Sequence, residues 1–269
     1  SENNFDLSSF QRCISEKLLL YLEELNNSFP NAEKVLCLSG GLDSSIICYL
    51  SNKIFPNLHI ASFSLSIGSS RLSTDFKCAE AIAEHLGNDF IPVIVNKNEI
   101  IGMIKECMVL CQDWRDFNLH CAVVNYFIAK KLKLHFGNKE VVVITGDLMN
   151  EYVSDYSSVY LDGKEYYRQP QILKSSLAKI LAYGLGTSDR EIGVFNHFDI
   201  KTFQPYSVVF EEYLQLPKDL INIADSSYLK NNDFVDEFSQ IDNININISP
   251  GRKRLISNVE KRKLIGILI

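Results

Sequence analysis

The sequence predicts an α/β fold, a parallel sheet with helices on both faces, and three observations support it. Short apolar runs alternate with longer amphipathic segments between residues 35 and 145. The run VVVIT, residues 141–145, is apolar on both sides, as in a strand covered by helices on each face. A glycine-rich turn, residues 39–45, directly follows the first apolar run. This order is typical of parallel sheets, because each helix returns the chain to the start of the next strand.

The elements of the first half follow from hydrophobic periodicity. Residues 8–28 carry apolar side chains at spacings of three and four, which predicts an amphipathic helix. Strands are predicted at 34–38, 58–67, 91–95 and 141–145. The helices between them are predicted at 44–54, 74–86, 98–111 and 118–134. Gly87 predicts a left-handed cap at the end of the 74–86 helix.

The pattern changes after residue 150. Residues 156–170 are polar, aromatic and rich in turn formers, and 197–206 also indicates a turn region. Further helices are predicted at 172–186 and 208–221. We therefore divide the chain into 1–150, a nucleotide-binding α/β core, and 151–269, a mostly helical extension. The extension is expected to pack on the core and complete its site, so that both parts form one structural domain.

Composition excludes several classes of protein. No apolar run approaches the ~18–20 residues of a membrane helix, and the N-terminus does not resemble a signal peptide, which predicts a cytoplasmic protein. The net charge of −6 argues against a general nucleic-acid binder. The seven cysteines include no CxxC pair, which favours small buried side chains in a reducing compartment.

The segment LCLSGGLDSSIICYL, residues 36–50, carries the chemistry. A strand, a glycine-rich turn and a helix N-terminus together direct backbone N–H groups and the helix dipole at one point, which suits a phosphate. Asp43 does not suit a bare anion, but it fits a Mg²⁺ ion that bridges it to phosphates. A helix cap that needs no ligand is the alternative. The predicted phosphate-binding residues are Ser39, Gly40, Gly41, Leu42, Asp43, Ser44 and Ser45.

The string SGGLDSS resembles the PP-loop of the N-type ATP pyrophosphatases, and most of all that of asparagine synthetases and β-lactam synthetases. Other segments are similar to further motifs of that family, and the resemblance covers roughly residues 15–225; these segments are 62–68, 73–87, 141–156 and 187–206. The resemblance implies that a carboxylate attacks the α-phosphate of ATP. The products would be an acyl-adenylate and pyrophosphate, after which an amine displaces AMP.

The resemblance also implies roles for individual residues. Ser64, Leu65 and Gly146 would join the loop in binding ATP. Mg²⁺ would be held by Asp43 and by Asn150, which stands where the family has an aspartate. The catalytic candidates are Asp147, which stands where the family has a glutamate, with Glu151 and Lys253. For Asp147 and Asn150, capping of the turn after the strand is the alternative.

Substrate contacts are the least specific expectation. Arg115, Asn118 and His120 precede or begin a predicted helix, so a helix cap and a core histidine are the alternatives. For the basic run around Lys253, a solvated surface is the alternative. The remaining candidates are Lys164, Arg168, Asp189 and Lys201.

The resemblance implies an ATP- and Mg²⁺-dependent ligase that joins a small-molecule carboxylate to ammonia or an amine. We expect no glutaminase domain in this chain, so ammonia would come from solution, from a separate glutaminase or from a pathway partner. A homo-oligomer is compatible with the sequence. Two other interpretations stay open, a PP-loop enzyme that modifies a nucleobase or tRNA, and a non-catalytic nucleotide-binding protein.

Overall fold

The computed structural model describes residues 7–66, 72–112, 116–149, 158–161, 164–167 and 190–214. Its strands are β1 Glu33–Cys37, β2 Leu58–Ser66, β3 Asp89–Asn96, β4 Val141–Ile144, β5 Ser158–Leu161, β6 Lys164–Tyr167 and β7 Lys201–Phe203. Its α-helices are α1 Leu7–Ser28, α2 Leu42–Ile54, α3 Thr74–Leu86, α4 Lys97–Cys111, α5 Asp116–Phe136, α6 Ile192–Asn196 and α7 Phe210–Leu214. A 3-10 helix, Pro205–Val208, precedes α7.

Five of the strands form one parallel sheet, in the order β3-β2-β1-β4-β7. The predicted fold class is confirmed, and every element predicted between residues 8 and 145 is present within two residues of its predicted ends. Gly87 caps α3 in the left-handed conformation, with φ of 72°, as predicted. The four cysteines at 48, 78, 107 and 111 are buried and form no disulfide, which agrees with their expected role as small core side chains.

Helices cover both faces of the sheet. Alternate side chains of β1 and β4 point to opposite faces, so Leu36 joins one core cluster and Val35 the other. The first cluster contains residues of α1, α2 and α3, and the second contains residues of α4, α5 and α6. Burying one such Leu or Val side chain contributes roughly 1.5–3 kcal/mol. None of the described helices is both long and apolar enough to cross a bilayer.

Two strand features were not predicted. Residues 201–203, expected in a turn region, form β7 and pair with β4 through Val142, Val143 and Ile144. A three-residue strand is too short to show an alternating pattern, and its backbone bonds to β4 stabilise it. The second is the hairpin of β5 and β6, which pair antiparallel within a region expected to form turns.

Part of the C-terminal prediction lies outside the described residues. That applies to the helix expected at 172–186 and to the second half of the helix expected at 208–221, of which α7 covers five residues. The division at residue 150 stays a prediction.

Parallel pairing brings the carboxyl ends of β1, β2 and β4 to one edge of the sheet, since Cys37 pairs with Ala61 and Leu36 with Ile144.

Candidate functional site

The glycine-rich loop follows β1 at that edge of the sheet. Gly40 has a φ of +72°, a conformation that favours glycine. A Cβ on Gly40 would also lie 2.4 Å from the backbone oxygen of Asp75 in the first turn of α3. Glycine is therefore needed at this position because the loop backbone lies close to the backbone of the neighbouring helix α3. Gly41 is different, because its backbone is extended and a Cβ there would lie 3.3 Å from Ser39 Oγ.

The three serines of the loop have different tasks. Ser44 and Ser45 are buried, and both donate to the carbonyl oxygen of Gly41, at 3.2 and 2.7 Å. Ser39 is exposed; its Oγ lies 3.0 Å from Ser44 Oγ and accepts from the N–H of Gly41 at 3.3 Å. Ser44 and Ser45 thus hold the turn, while Ser39 and Gly41 form the surface that a ligand would meet.

The N-terminus of α2 has no side-chain cap. Within the described residues, no side chain caps α2 at Gly41, whereas Ser73 caps α3 and Asn96 caps α4. The first-turn N–H groups of an uncapped helix lack intrahelical acceptors, and the helix dipole adds partial positive charge there. Phosphate oxygens satisfy such groups. The phosphate-binding role of residues 39–45 stays a prediction.

Two distant segments are packed against this helix end. A Cβ on Gly146, just after β4, would lie 2.6 Å from Ser44 Cα, so the carboxyl end of β4 passes directly against the loop. Tyr206, fully buried, donates its hydroxyl hydrogen to the backbone oxygen of Asp43 at 2.9 Å. The first contact places Gly146, the chain neighbour of the catalytic candidate Asp147, against the loop. Sequence reasoning missed Tyr206, because nothing in its local pattern indicates a partner 163 positions away.

A pair of carboxyl groups lies beside Gly146. Glu191 is only 3 % exposed, and half-buried Asp147 is close enough to affect it electrostatically. Thr145 Oγ1 donates to Glu191 Oε1 at 2.7 Å, and Gln204 Nε2 donates to Oε2 at 3.1 Å. Burial, followed by the charge of Asp147, raises the pKa of Glu191 well above that of an ordinary glutamate. Glu191 was not among the predicted site residues, although it lies in the motif-like segment 187–206.

The thiol of Cys37, at the end of β1, is close enough to both carboxyl groups to be affected by them. Burial raises the pKa of Cys37 strongly, and the charges of Glu191 and Asp147 raise it further. The thiol therefore stays protonated at neutral pH. A protonated thiol is a poor nucleophile and a poor metal ligand.

Asp43 is the described residue best placed to hold Mg²⁺. It is half-buried in the first turn of α2, beside the N–H groups that suit phosphate. Among the residues that the structure describes, no group of three or more His, Cys, Asp or Glu side chains could form a metal cage by itself. One carboxylate at a phosphate site is consistent with Mg²⁺, which commonly binds through one or two carboxylates together with substrate phosphates.

Ser64 and Leu65 lie at the carboxyl end of β2, as expected, but their side chains have structural roles. Ser64 is 1 % exposed, and its Oγ accepts from the N–H of Ser73 at 3.0 Å, next to the cap of α3. Leu65 packs in the second core cluster. Because both side chains are buried, a nucleotide could contact Ser64 and Leu65 only through their backbone atoms.

Lys201 is not brought to the loop. It begins β7, donates to Glu140 Oε1 at 2.6 Å and lies over the ring of Phe29. Glu140 precedes β4, so this ion pair is at the amino end of the sheet, and the substrate role expected for Lys201 is not supported.

His120 is half-buried in α5, and no described residue bonds its buried Nδ1.

The other predicted site residues are described only through their backbone or lie outside the described residues. The backbone of Asn118 lies in α5 and that of Lys164 in β6. The candidates outside the described residues are Arg115, Asn150, Glu151, Arg168, Asp189 and Lys253.

Comparison with known proteins gives one family. The family described as asparagine synthase matches residues 32–235, more than half of the chain. This range contains the loop, the carboxyl pair and Tyr206. No curated protein sequence matches.

Solved structures give weaker similarities. The NH3-dependent NAD synthetase from Campylobacter jejuni subsp. jejuni NCTC 11168 is 17% identical with a TM-score of 0.39, covering 67% of this chain and 75% of that one. The NMN synthetase from Francisella tularensis is 15% identical with a TM-score of 0.41, covering 98% and 93%. The U34-tRNA thiolase NcsA from Methanococcus maripaludis is 16% identical with a TM-score of 0.41, covering 95% and 81%. Similarities at this level carry no argument about function.

Proposed function

Since the chain belongs to the asparagine synthase family, whose members are ATP-using PP-loop enzymes, we propose that it is an amide-forming ligase. Its substrates would be a small-molecule carboxylate and either ammonia or an amine. ATP would be converted into AMP and pyrophosphate. We propose that a separate glutaminase or a pathway partner supplies the ammonia.

One observation carries this proposal, the contact between the carboxyl end of β4 and the phosphate loop. Because Gly146 is packed against Ser44, the chain enters Asp147 directly from a contact with the uncapped end of α2. A ligase of this kind needs a phosphate-binding loop and a proton acceptor in the same site. The loop stabilises charge on the phosphates, and a carboxylate near it can accept the proton of the amine.

The first step would use the loop. As the substrate carboxylate attacks the α-phosphorus, negative charge builds up on the departing pyrophosphate. The N–H groups of the first turn of α2 and the hydroxyl of exposed Ser39 are available to stabilise that charge. Asp43 would hold Mg²⁺ together with the phosphates, and bound Mg²⁺ would neutralise part of their charge.

The second step would use Asp147. The amine nitrogen forms a bond to the acyl carbon, and AMP leaves with the electrons of the broken C–O bond. One proton must also leave the nitrogen, and Asp147 is the described carboxylate beside the loop that can receive it. Glu151 and Lys253 stay proposals from the family resemblance.

The cysteines next to the loop favour this interpretation over sulfur transfer to a nucleobase. Sulfur transfer needs a reactive thiolate. Burial raises the pKa of both Cys37 and Cys48 far above that of an ordinary thiol, and the charges near Cys37 raise it further. The net charge of −6 also disfavours a large nucleic-acid substrate.

The proposal is tested by incubating the chain with Mg·ATP and a panel of amino acids and other carboxylates, with and without ammonia. AMP, ADP, pyrophosphate and amide are measured in parallel. We expect AMP and pyrophosphate in equal amounts with one acid, and amide when the nitrogen donor is present. Asp43→Ala should lower turnover by at least about a hundred-fold. Asp89→Asn, whose side chain is 86% exposed at the other end of the sheet, is the control and should retain activity.

Two results would overturn the proposal. Formation of ADP and phosphate would show that the loop directs attack to the γ-phosphate. Tight ATP binding without turnover on any carboxylate or nitrogen donor would favour the non-catalytic alternative.

A further inference from the structure

The C-terminal end of α5 exposes an apolar side chain among cations. Leu134 is 76 % exposed, and Lys130 and Lys131, one turn before it, are exposed on the same side of the helix. His135, the next residue, is also exposed. α5 carries no Asp or Glu after its first residue, Asp116. We call Lys130, Lys131, Leu134 and His135 the basic face of α5.

The charges of the basic face are not neutralised by the part of the chain that the structure describes. Lys133, on the neighbouring side of α5, lies 3.4 Å from Asp199, whereas Lys130 and Lys131 form no ion pair with a described residue. The helix dipole favours cations at this end of α5, but it gives no reason for an exposed leucine among them. A surface of this kind fits a segment that carries carboxylates around an apolar side chain.

The chain itself contains a segment of complementary composition. Residues 233–242, DFVDEFSQID, contain four acidic residues and no Lys or Arg. The apolar residues among them are Phe234, Val235, Phe238 and Ile241. This acidic segment lies outside the described residues. Its charge is opposite to that of the basic face, and a phenylalanine can cover an exposed leucine.

The acidic segment can reach the basic face. The last described helix ends at Leu214, and 18 residues separate it from residue 233. An extended chain of that length spans roughly 60 Å, since each residue adds about 3.3 Å. A domain of this size is about 45 Å across. The connection is therefore long enough to reach any point on the surface of the core.

We propose that the acidic segment, residues 233–242, docks on the basic face of α5. Its carboxylates pair with Lys130 and Lys131, and one of its phenylalanine side chains covers Leu134. Opposite charge attracts the segment to this face, and the apolar contact retains it when salt weakens that attraction.

The docked segment is an anchor and does not cover the candidate site. Phe136, at the end of α5, packs against His59 near the start of β2, so the basic face is at the amino end of the sheet. The phosphate loop is at the carboxyl end. The contact uses no residue proposed for ATP binding or catalysis, so it is independent of the proposed function.

Zero-length crosslinking of the full chain tests this contact. A carbodiimide joins a carboxylate directly to a lysine amine that it touches, and mass spectrometry identifies the linked residues. We expect Lys130 or Lys131 to be linked to residues 233–242. Lys105 in α4 is the matched control, because it is also exposed and is followed at the same spacing by exposed Met108 and Val109. Its links to the acidic segment should be at least about ten-fold fewer.

Charge reversal tests the electrostatic part of the contact. In the double variant Lys130→Glu and Lys131→Glu, like charges would face each other, and the links should disappear. Adding Asp236→Lys and Glu237→Lys to that variant restores opposite charges, and links between the exchanged residues should appear. Failure of this second exchange to restore links would overturn the pairing.

The apolar part has its own pair of variants. Leu134→Ala keeps both lysines but removes the exposed side chain, so the yield of links should fall several-fold, most of all at high salt. Leu20→Ala is the control, since Leu20 is 56 % exposed on α1. An equal yield in the two variants would show that Leu134 takes no part in the contact.

A mixture of chains labelled with nitrogen-14 and nitrogen-15 identifies the source of the bound segment. Links within chains of a single isotope support the proposal. Links that join the two isotopes would mean that a second copy of the chain occupies the basic face, and they would overturn it. The absence of links, or links from Lys105 at an equal yield, would overturn it as well.

Discussion

The hydroxyl group of Tyr206 donates a hydrogen bond to the backbone oxygen of Asp43, with 2.9 Å between the two atoms. Tyr206 lies in the 3-10 helix after β7, so a segment near the end of the described chain holds the first turn of α2. The phosphate loop is thus fixed from two sides, by Tyr206 and by Gly146.

Removal of this hydroxyl should weaken nucleotide binding more than it weakens the fold. In Tyr206→Phe the ring still fills its buried position, and the lost hydrogen bond costs about 1 kcal/mol of unfolding free energy. We expect the KM for ATP to rise several-fold because the first turn of α2 is less well held. Tyr21→Phe is the control, since the half-buried Tyr21 of α1 interacts with Ser207 in the same 3-10 helix. An equal rise in KM in both variants would contradict this role of Tyr206.

The two loop glycines should differ in their tolerance of alanine. Gly40→Ala would place a Cβ 2.4 Å from the Asp75 oxygen at a positive φ, and we expect it to lose about 1–3 kcal/mol of unfolding free energy. Gly41→Ala has an extended backbone and a 3.3 Å contact to one side-chain oxygen, so its loss should stay below roughly 0.5 kcal/mol. Urea denaturation of both variants measures the difference. Equal losses would show that the left-handed turn at Gly40 is not required.

Leu148 has a φ of +85°, which is costly for a residue with a Cβ, yet its side chain is 2 % exposed. Substitution by alanine or glycine removes the same buried packing. Alanine keeps the backbone strain and glycine removes it, so we expect Leu148→Gly to be at least as stable as Leu148→Ala. At ordinary positions glycine is the less stable of the two by about 0.5–1 kcal/mol. Thermal or urea unfolding measures the stability of both variants. A lower stability of Leu148→Gly than of Leu148→Ala would contradict the left-handed conformation.

The carboxyl pair should also make stability depend on pH. The pKa of Glu191 is raised on folding from its ordinary value near 4.5, so the folded state binds a proton more tightly than the unfolded state. Its contribution is fully favourable below that ordinary value and is lost as pH rises through the raised pKa. We therefore expect the wild type to lose more unfolding free energy than Glu191→Gln as the pH rises from about 4. Urea titrations of both proteins at each pH give this difference, and parallel curves would contradict a raised pKa of Glu191 in the folded state.

Most of the fold was predictable because strand and helix patterns alternate regularly as far as residue 145. The loop was predictable because its seven residues have a specific composition after an apolar run. The β5–β6 hairpin had a signal, Asp162-Gly163 between its strands, that sequence reasoning did not use. Residues 201–203 had none, because three residues show no period.

The carboxyl pair shows why the rest of the site could not be predicted. Asp147 was expected from the family resemblance, because it stands where the family has a glutamate. Glu191 becomes significant only when folding brings Thr145, Gln204 and Asp147 around it, and those residues lie 13 to 46 positions away in sequence. Tyr206 is a similar case. Long-range contacts of this kind leave no local pattern.

The most direct test of the central claim uses a substrate carboxylate labelled with oxygen-18. The acid is identified from the panel and incubated with Mg·ATP and the nitrogen donor, and the nucleotide products are analysed by mass spectrometry. If the carboxylate attacks the α-phosphorus, one labelled oxygen must appear in AMP when the amide forms. Unlabelled AMP, or labelled phosphate formed together with ADP, would contradict the proposed adenylation.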